Sequence, residues 1–116
     1  MEQKIENLES KIKEMIEEYS EIERIMVISK DGLMIASSPS FENDEEFAAK
    51  AVLFSEPLNE MLSNLGFGKG NLFIARTDDR YFLLYEAENA YIIMVVKKDA
   101  PMGFLLYDIE EIARMV

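Results

Sequence analysis

Asp31, Asp78 and Asp79 are the side chains whose type and spacing come nearest to chemistry, since clustered carboxylates can hold a divalent cation or move a proton. All three fall among turn formers, in Lys30-Asp31-Gly32 and Thr77-Asp78-Asp79-Arg80, where aspartate is favoured because it bonds nearby backbone N–H groups. Nothing around them has the spacing of a calcium loop, so the turn reading is preferred and no metal is expected. Gly66-Phe67-Gly68-Lys69-Gly70 could cradle an anion with glycine amides and a lysine. It lacks the GxxxxGK[ST] spacing and follows a helix pattern while preceding a strand pattern, the reverse of a phosphate loop. It reads instead as a flexible helix-to-strand connection. One of Arg24, Arg76 or Arg80 could neutralise charge on a transferring phosphoryl group in a partner's site, although a surface arginine without such a role is commoner.

The chain has no histidine, cysteine or tryptophan. Thiolate, serine–histidine and histidine-ligated zinc chemistry are therefore excluded, and only carboxylate or lysine chemistry remains. Neither catalysis nor a cofactor is expected, and the reading is that of a protein that binds other proteins. Twelve basic against 23 acidic residues give a formal charge of −11, which repels a nucleic-acid backbone and an anionic membrane surface. No apolar run reaches the roughly 18 residues needed to cross a bilayer. The amphipathic, acidic start MEQKIENLESKIKEM is unlike a secretory signal. A cytoplasmic location and one domain over residues 1–116 are the expectations.

The elements that would position these residues are legible in the hydrophobic spacing. Ile5, Leu8, Ile12, Met15, Ile16 and Tyr19 recur every three or four residues, predicting a helix over about 3–19. Residues 24–29 and 33–37 read as strands around Lys30-Asp31-Gly32, a strong hairpin signal. A second helix is predicted from Asn43 or Asp44 to about Leu65, with Asn43 and Glu46 at the spacing of a capping box and Gly66 as its end. Phe47, Ala51, Phe54, Leu58, Met61, Leu62 and Leu65 are expected to face the sheet. Ala49, Val52 and Leu53 lie elsewhere around the cylinder and suggest a second contact surface. Pro57 inside this pattern predicts a kink or a split. Strands at 71–76, 81–86 and 90–97 form a meander, the last apolar at nearly every position as a central strand should be. Leu105, Ile109, Ile112 and Val116 align on a final helix. Tyr81 and Tyr85 share one face of their strand. The order is α-β-β-α-β-β-β-α, an α+β fold with helices on both faces of one antiparallel sheet.

The segment RIMVISKDGLMIASS, followed by NDEEFAAKAVLFSEPLNEMLSNLGFGKGNLFIA, resembles the roadblock/LC7 family, including its MglB-like prokaryotic members. The resemblance lies in the order and spacing of an apolar strand, an Asp-Gly turn, a second apolar strand, an alanine-rich helix ending in Leu65-Gly66, and a meander over Leu72–Val96. It implies a five-stranded antiparallel sheet with the first and last helices on one face and the long middle helix on the other. It further implies dimers in which the middle helices pack antiparallel and the third strands pair. Ala49, Val52, Leu53, Leu72, Phe73, Ile74 and Ala75 would then form the interface of a homodimer, and an edge strand poor in protective charges would be covered by its mate. Family members scaffold or regulate small Ras-like GTPases, and others serve as dynein light chains. MglB-like dimers act by remodelling the GTPase, without an arginine finger, so the resemblance gives Arg76 and Arg80 no special role. Two other readings remain open: a small-molecule sensor of PAS- or profilin-like type, and a structural homodimer in a larger assembly.

Overall fold

In a computed structural model, which describes residues 2–116, the alternation of apolar runs and turn signals yields three helices and five strands. They are α1 (Glu2–Glu18), β1 (Ile22–Ser29), β2 (Met34–Ser38), α2 (Asp44–Asn64), β3 (Leu72–Arg76), β4 (Arg80–Glu86), β5 (Ala90–Lys97) and α3 (Met102–Met115). The strands form one antiparallel sheet in the order β2-β1-β5-β4-β3. β5 lies at its centre, and Ile92, Ile93, Met94 and Val96 are wholly buried, which explains why neither of its faces is polar.

Two cores follow from the period-two alternation of the strands. Ile25, Val27, Leu83, Ile92 and Met94 point to one side, where Leu8, Ile12 and Met15 of α1 and Leu105, Ile109 and Ile112 of α3 cover them. Met26, Ile28, Leu84 and Ile93 point to the other, beneath Ala48 and Ala51 of α2. The arrangement is thus α1 and α3 on one face and α2 on the other.

The Asp-Gly turn forms as its residues demand. Gly32 takes φ +89°, its N–H donates to Ser29 O at 3.0 Å, and Ser29 N–H donates to Leu33 O at 2.8 Å. Leu33 belongs to this turn and is exposed, so β2 starts one residue later than its apolar character suggests. At the other end of α2, Gly66 at φ +84° closes a Schellman motif: Phe67 N–H donates to Leu62 O and Gly66 N–H to Ser63 O.

Three details of α2 depart from the sequence expectations. Asn43 makes no side-chain capping bond, so the capping box is not formed. Pro57 does not split the helix; it stands exposed within it, where its missing N–H leaves one carbonyl of the preceding turn free to meet solvent. Most consequentially, the helix is rotated from its expected setting. Asp44, Ala48, Ala51 and Ser55 are the buried residues, whereas Phe54, Leu58, Met61 and Leu65 are exposed. Small side chains let the helix axis settle close to the sheet, and the bulky residues of the adjoining stripe are left on its flank.

Candidate interface site

The flank of α2 that carries Phe54 and Leu58 faces the open edge of the sheet. Between them and β3 runs a groove of about 420 Å³, floored by Ala51, Ser55, Phe82 and Leu84 and walled on the far side by Phe73, Ile74 and Ala75. Phe54 is 73% exposed and Ile74 46%. Met61, Leu65 and Phe67 extend the exposed apolar surface along the helix and past its end. The only hydroxyl in the groove, that of Ser55, donates to Val52 O at 2.7 Å within its own helix.

β3 pairs with β4 on one side alone. Glu86 N–H donates to Asn71 O and Thr77 N–H to Arg80 O, each at 2.8 Å, which sets the parity of the ladder. Hydrogen-bonded pairs alternate in an antiparallel ladder, so Phe73 and Ala75 bond to β4 while Leu72, Ile74 and Arg76 direct their N–H and C=O groups outward. This edge contains neither lysine nor proline, and Arg76 at its end is its one charge. Such an edge is a template for another strand.

Two polar clusters tie the start of α2 and the loop after it to the sheet. At the start of α2, the buried Asp44 carboxylate accepts from the Arg24 guanidinium, from Ser37 Oγ at 2.6 Å and from Phe41 N–H at 3.0 Å. Arg24 Cζ lies 4.5 Å and 4.7 Å from the ring centroids of Phe41 and Phe47, held between two aromatic faces. Burial alone would push the Asp44 carboxyl up; the bonds from Ser37, Phe41 and Arg24 outweigh it and hold it below the ordinary carboxylate range. This ties β1, β2 and the start of α2 together, and it gives Arg24 a structural engagement.

At the other end, the Glu86 carboxylate of β4 accepts from Lys30 Nζ at 2.6 Å and from Lys69 Nζ at 2.8 Å. Burial again opposes ionisation there, and the two lysines overcome it, keeping Glu86 below its usual range. Gly70 N–H donates to Asn59 Oδ1 at 2.7 Å, and a Cβ on Gly70 would lie 2.8 Å from Leu62 Cδ1. The Gly66–Gly70 segment is therefore pinned to both α2 and β4, which corrects its reading as a flexible connection. Lys69 is committed to a protein carboxylate.

The remaining candidates are dispersed. Asp31, Asp78 and Asp79 are all exposed in turns, with Thr77 Oγ1 donating to Asp79 Oδ1 at 3.5 Å. Arg80 bonds Glu23 at 2.9 Å and Asp79 at 3.0 Å, while Arg76 lies 5.9 Å from the Tyr81 ring centroid. Among the described residues, no group of three or more acidic side chains is placed to hold a metal ion.

Of the interface residues named from the sequence, the structure brings Phe73, Ile74 and Ala75 together along the groove. Leu72 is half-buried at the start of the same strand. Ala49 and Leu53 are exposed on α2 but do not line the groove, and Val52 packs half-buried against the α2-side core. Phe54 and Leu58 are the lining residues the sequence reading assigned elsewhere. The signal that points to them is the run of small residues at Ala48, Ala51 and Ser55, which marks the face able to approach a sheet.

The site is thus an unpaired β3 sheet edge beside an exposed apolar flank of α2, carried by a three-layer α+β domain. The chain belongs to the Roadblock/LC7 domain family, whose model matches residues 11–97. Among solved structures it is similar to "MglB with tetrameric arrangement", with TM-score 0.80 and 16% identity over 95% of this chain and 85% of that one. It is likewise similar to the gliding protein MglB from Thermus thermophilus, with TM-score 0.80 and 14% identity over 97% and 87% of the two chains. A Roadblock/LC7 domain from Streptomyces avermitilis gives TM-score 0.80 and 12% identity over 91% of each chain. At such identities the likeness is one of fold. No curated protein sequence matches the chain.

Proposed function

We propose that this chain is a non-enzymatic, homodimeric protein-binding module that regulates or scaffolds a small Ras-like GTPase in the cytoplasm. The observation that carries the dimer is the groove between α2 and β3, whose apolar walls stand open beside an unpaired strand edge. A second copy related by a twofold axis would bring β3 antiparallel to its mate and α2 against α2, burying Phe54 and Leu58 between the helices and Ile74 on the other face of the joined sheet. With the axis at Ile74, all three outward residues are matched: Ile74 opposes its own copy, and Leu72 opposes Arg76 of the mate. Leu72, Phe73, Ile74 and Ala75 contribute through the strand, and Ala49, Val52 and Leu53 border the helix contact. Supporting the GTPase are family membership and the MglB fold. The non-enzymatic reading is supported by the missing histidine and cysteine and by the engagement of Asp44, Glu86, Arg24 and Lys69 in protein contacts.

A small-molecule sensor would need convergent polar groups in its pocket, and the groove's single hydroxyl is turned to its own helix. The test is capture from native lysate on immobilised protein in GDP and in a non-hydrolysable GTP analogue. Preferential retention of a small GTPase with the analogue supports the reading. Retention in neither, with lysate GTPases shown to bind nucleotide, contradicts it and favours a structural homodimer.

A further inference from the structure

On the side of the sheet away from the groove, α3 carries an apolar patch that the described residues leave uncovered. Leu105, Ile109 and Ile112 are buried against the sheet, whereas Phe104 and Tyr107 are 68% and 60% exposed. With Pro101, Met102 and Gly103 they line a shallow apolar depression. Gly103 lies in the first turn of the helix, where glycine weakens the structure, yet a Cβ there would meet nothing within 4 Å. No contact among the described residues asks for a bare backbone here; a neighbour's backbone approaching from outside would.

The charges bordering the patch give the chemistry of that neighbour. Lys11 of α1 reaches across to α3, bonding Glu111 at 2.8 Å and lying 3.7 Å from Asp108. The bond to Glu111 raises the Lys11 ammonium above its ordinary value, with Asp108 and Glu14 adding to it and burial opposing. At the same crossing, burial pushes the Tyr19 hydroxyl up, and the charges of Glu18 and Asp108 push it further against the pull of Lys11. Lys11 in turn holds Glu111 below the ordinary carboxylate range, burial opposes it, and the Tyr107 hydroxyl helps as a further donor, so this acidic seam borders the aromatic patch directly. Glu14, Glu18, Asp108 and Glu111 thus surround the single ammonium of Lys11. Lys13 points about 200° around α1 from Lys11 and gives no relief. At the entrance to α3, Lys97 N–H donates to Glu21 O at 2.9 Å and Lys98 N–H to Asp79 O at 3.1 Å, and Asp99 follows, so no positive excess arises there. A second copy would bring the same carboxylates, and a lipid surface or nucleic acid would bring phosphates; all are repelled. A cation is attracted, and the exposed aromatic faces add to its attraction. The backbone groups in the middle of α1 and α3 are spent within the helices, so an added strand finds no ladder there. The contact is one of side chains, as a helix presents them.

We propose that Phe104 and Tyr107 of α3, beside Glu14 and Glu18 of α1, dock a cationic amphipathic helix of a partner protein, its apolar stripe over the aromatics and Gly103 and its lysines or arginines toward the carboxylates. This face is separate from the α2–β3 groove and depends on neither the dimer nor the GTPase reading. The probe is a fluorescent peptide of leucine and lysine patterned as an amphipathic helix, whose anisotropy is followed as protein is added; a scrambled peptide of the same composition keeps the charge and loses the stripe. Wild type is expected to prefer the patterned peptide. Phe104→Ser should weaken its binding about tenfold, the range of an interface anchor. Glu14→Gln with Glu18→Gln should weaken it about threefold, as the loss of two exposed ion pairs would. Glu45→Gln with Glu60→Gln, which removes the same charge from α2, should leave it unchanged. Amide shifts on titration should move in residues 102–107 and 14–18. Equal binding of the two peptides, equal weakening by the two double variants, or wild-type affinity in Phe104→Ser overturns the proposal, as do amide shifts confined to α2 and β3. A mass below wild type for Phe104→Ser in sedimentation velocity also overturns it, giving the face to a second copy.

Discussion

Phe54 of α2 and Ile74 of β3 line opposite sides of one groove floored by Ala51 and Leu84, with the Phe54 ring exposed over the floor and the Ile74 side chain on the sheet face it shares with its register partner Leu83. The first is there because small residues draw another face of its helix onto the sheet. The second is there because its strand is the last in the sheet, and its free N–H and C=O point the same way as the gap. An apolar cleft and an unsatisfied ladder thus coincide, and one twofold partner answers both.

Hydrogen exchange follows from the ladder's parity. In the associated protein the amides of Leu72, Ile74 and Arg76 are expected to be protected along with those of Phe73 and Ala75. In Phe54→Glu the three outward amides should exchange at least tenfold faster while Phe73 and Ala75, bonded to β4, keep their protection. Equal rates for the two sets in both proteins would place the strand contact elsewhere.

Replacing Asp44 by Ala leaves Arg24 between its two rings without a counter-charge and strips the acceptor from Ser37 and Phe41 N–H. A loss of about 3 kcal/mol is expected, from urea unfolding, as for other broken buried pairs. Asp44→Asn, which keeps an acceptor but not the charge, should lose less. A loss under about 0.5 kcal/mol for both, the range of ordinary surface substitutions, would mean the cluster is not holding the start of α2.

The two polar clusters together set an acid limit. The carboxyls of Asp44 and Glu86 are held below their ordinary values in the folded chain, so each contributes stability that is fully present above its unfolded pKa and lost as pH falls through its folded one. Stability should therefore decline below about pH 4, where free carboxylates begin to protonate. The slope of unfolding free energy against pH should be shallower in Asp44→Asn. An unchanged slope would assign the acid sensitivity to other groups.

Gly70 and Gly103 give opposite signs for the same substitution. A methyl at Gly70 meets Leu62, Phe73 and Asn59 within 2.8–3.3 Å and disturbs the bond that pins the loop, so Gly70→Ala should cost about 1–2 kcal/mol. Gly103→Ala adds a helix-favouring residue in open space and should gain about 0.5 kcal/mol within each chain. Urea unfolding of the two variants at low concentration reads both, and matching signs would contradict the assignment.

How much of this is written in the sequence depends on the range of the interaction. β1, β4 and β5 are apolar runs bounded by turn residues, and α1 and α3 have a single stripe each, so local pattern was enough to place them. α2 carries apolar residues around more than half its circumference, and the choice of face rests on side-chain size: alanine and serine score low on any hydrophobic count yet admit the closest approach. Asp44 looked like an ordinary helix-start carboxylate, because its partners Arg24 and Ser37 come from other strands. The pinning of Lys69 by Glu86 joins residues 17 apart across a loop that, read alone, is only glycine-rich. The groove is the product of two such long-range facts, the setting of α2 and the edge position of β3.

The pairing of two copies at β3 can be read with a single covalent reporter, because the chain has no cysteine of its own. In Ile74→Cys the twofold axis sets the two thiols directly opposite, with Cα atoms ~5.5 Å apart as in any hydrogen-bonded antiparallel pair, within the reach of a disulfide. Mild oxidation at low protein concentration, followed on a non-reducing gel, should convert Ile74→Cys to a covalent dimer well ahead of Glu88→Cys, a control in an exposed turn. Cross-linking of Ile74→Cys no faster than the control would contradict the strand-paired dimer.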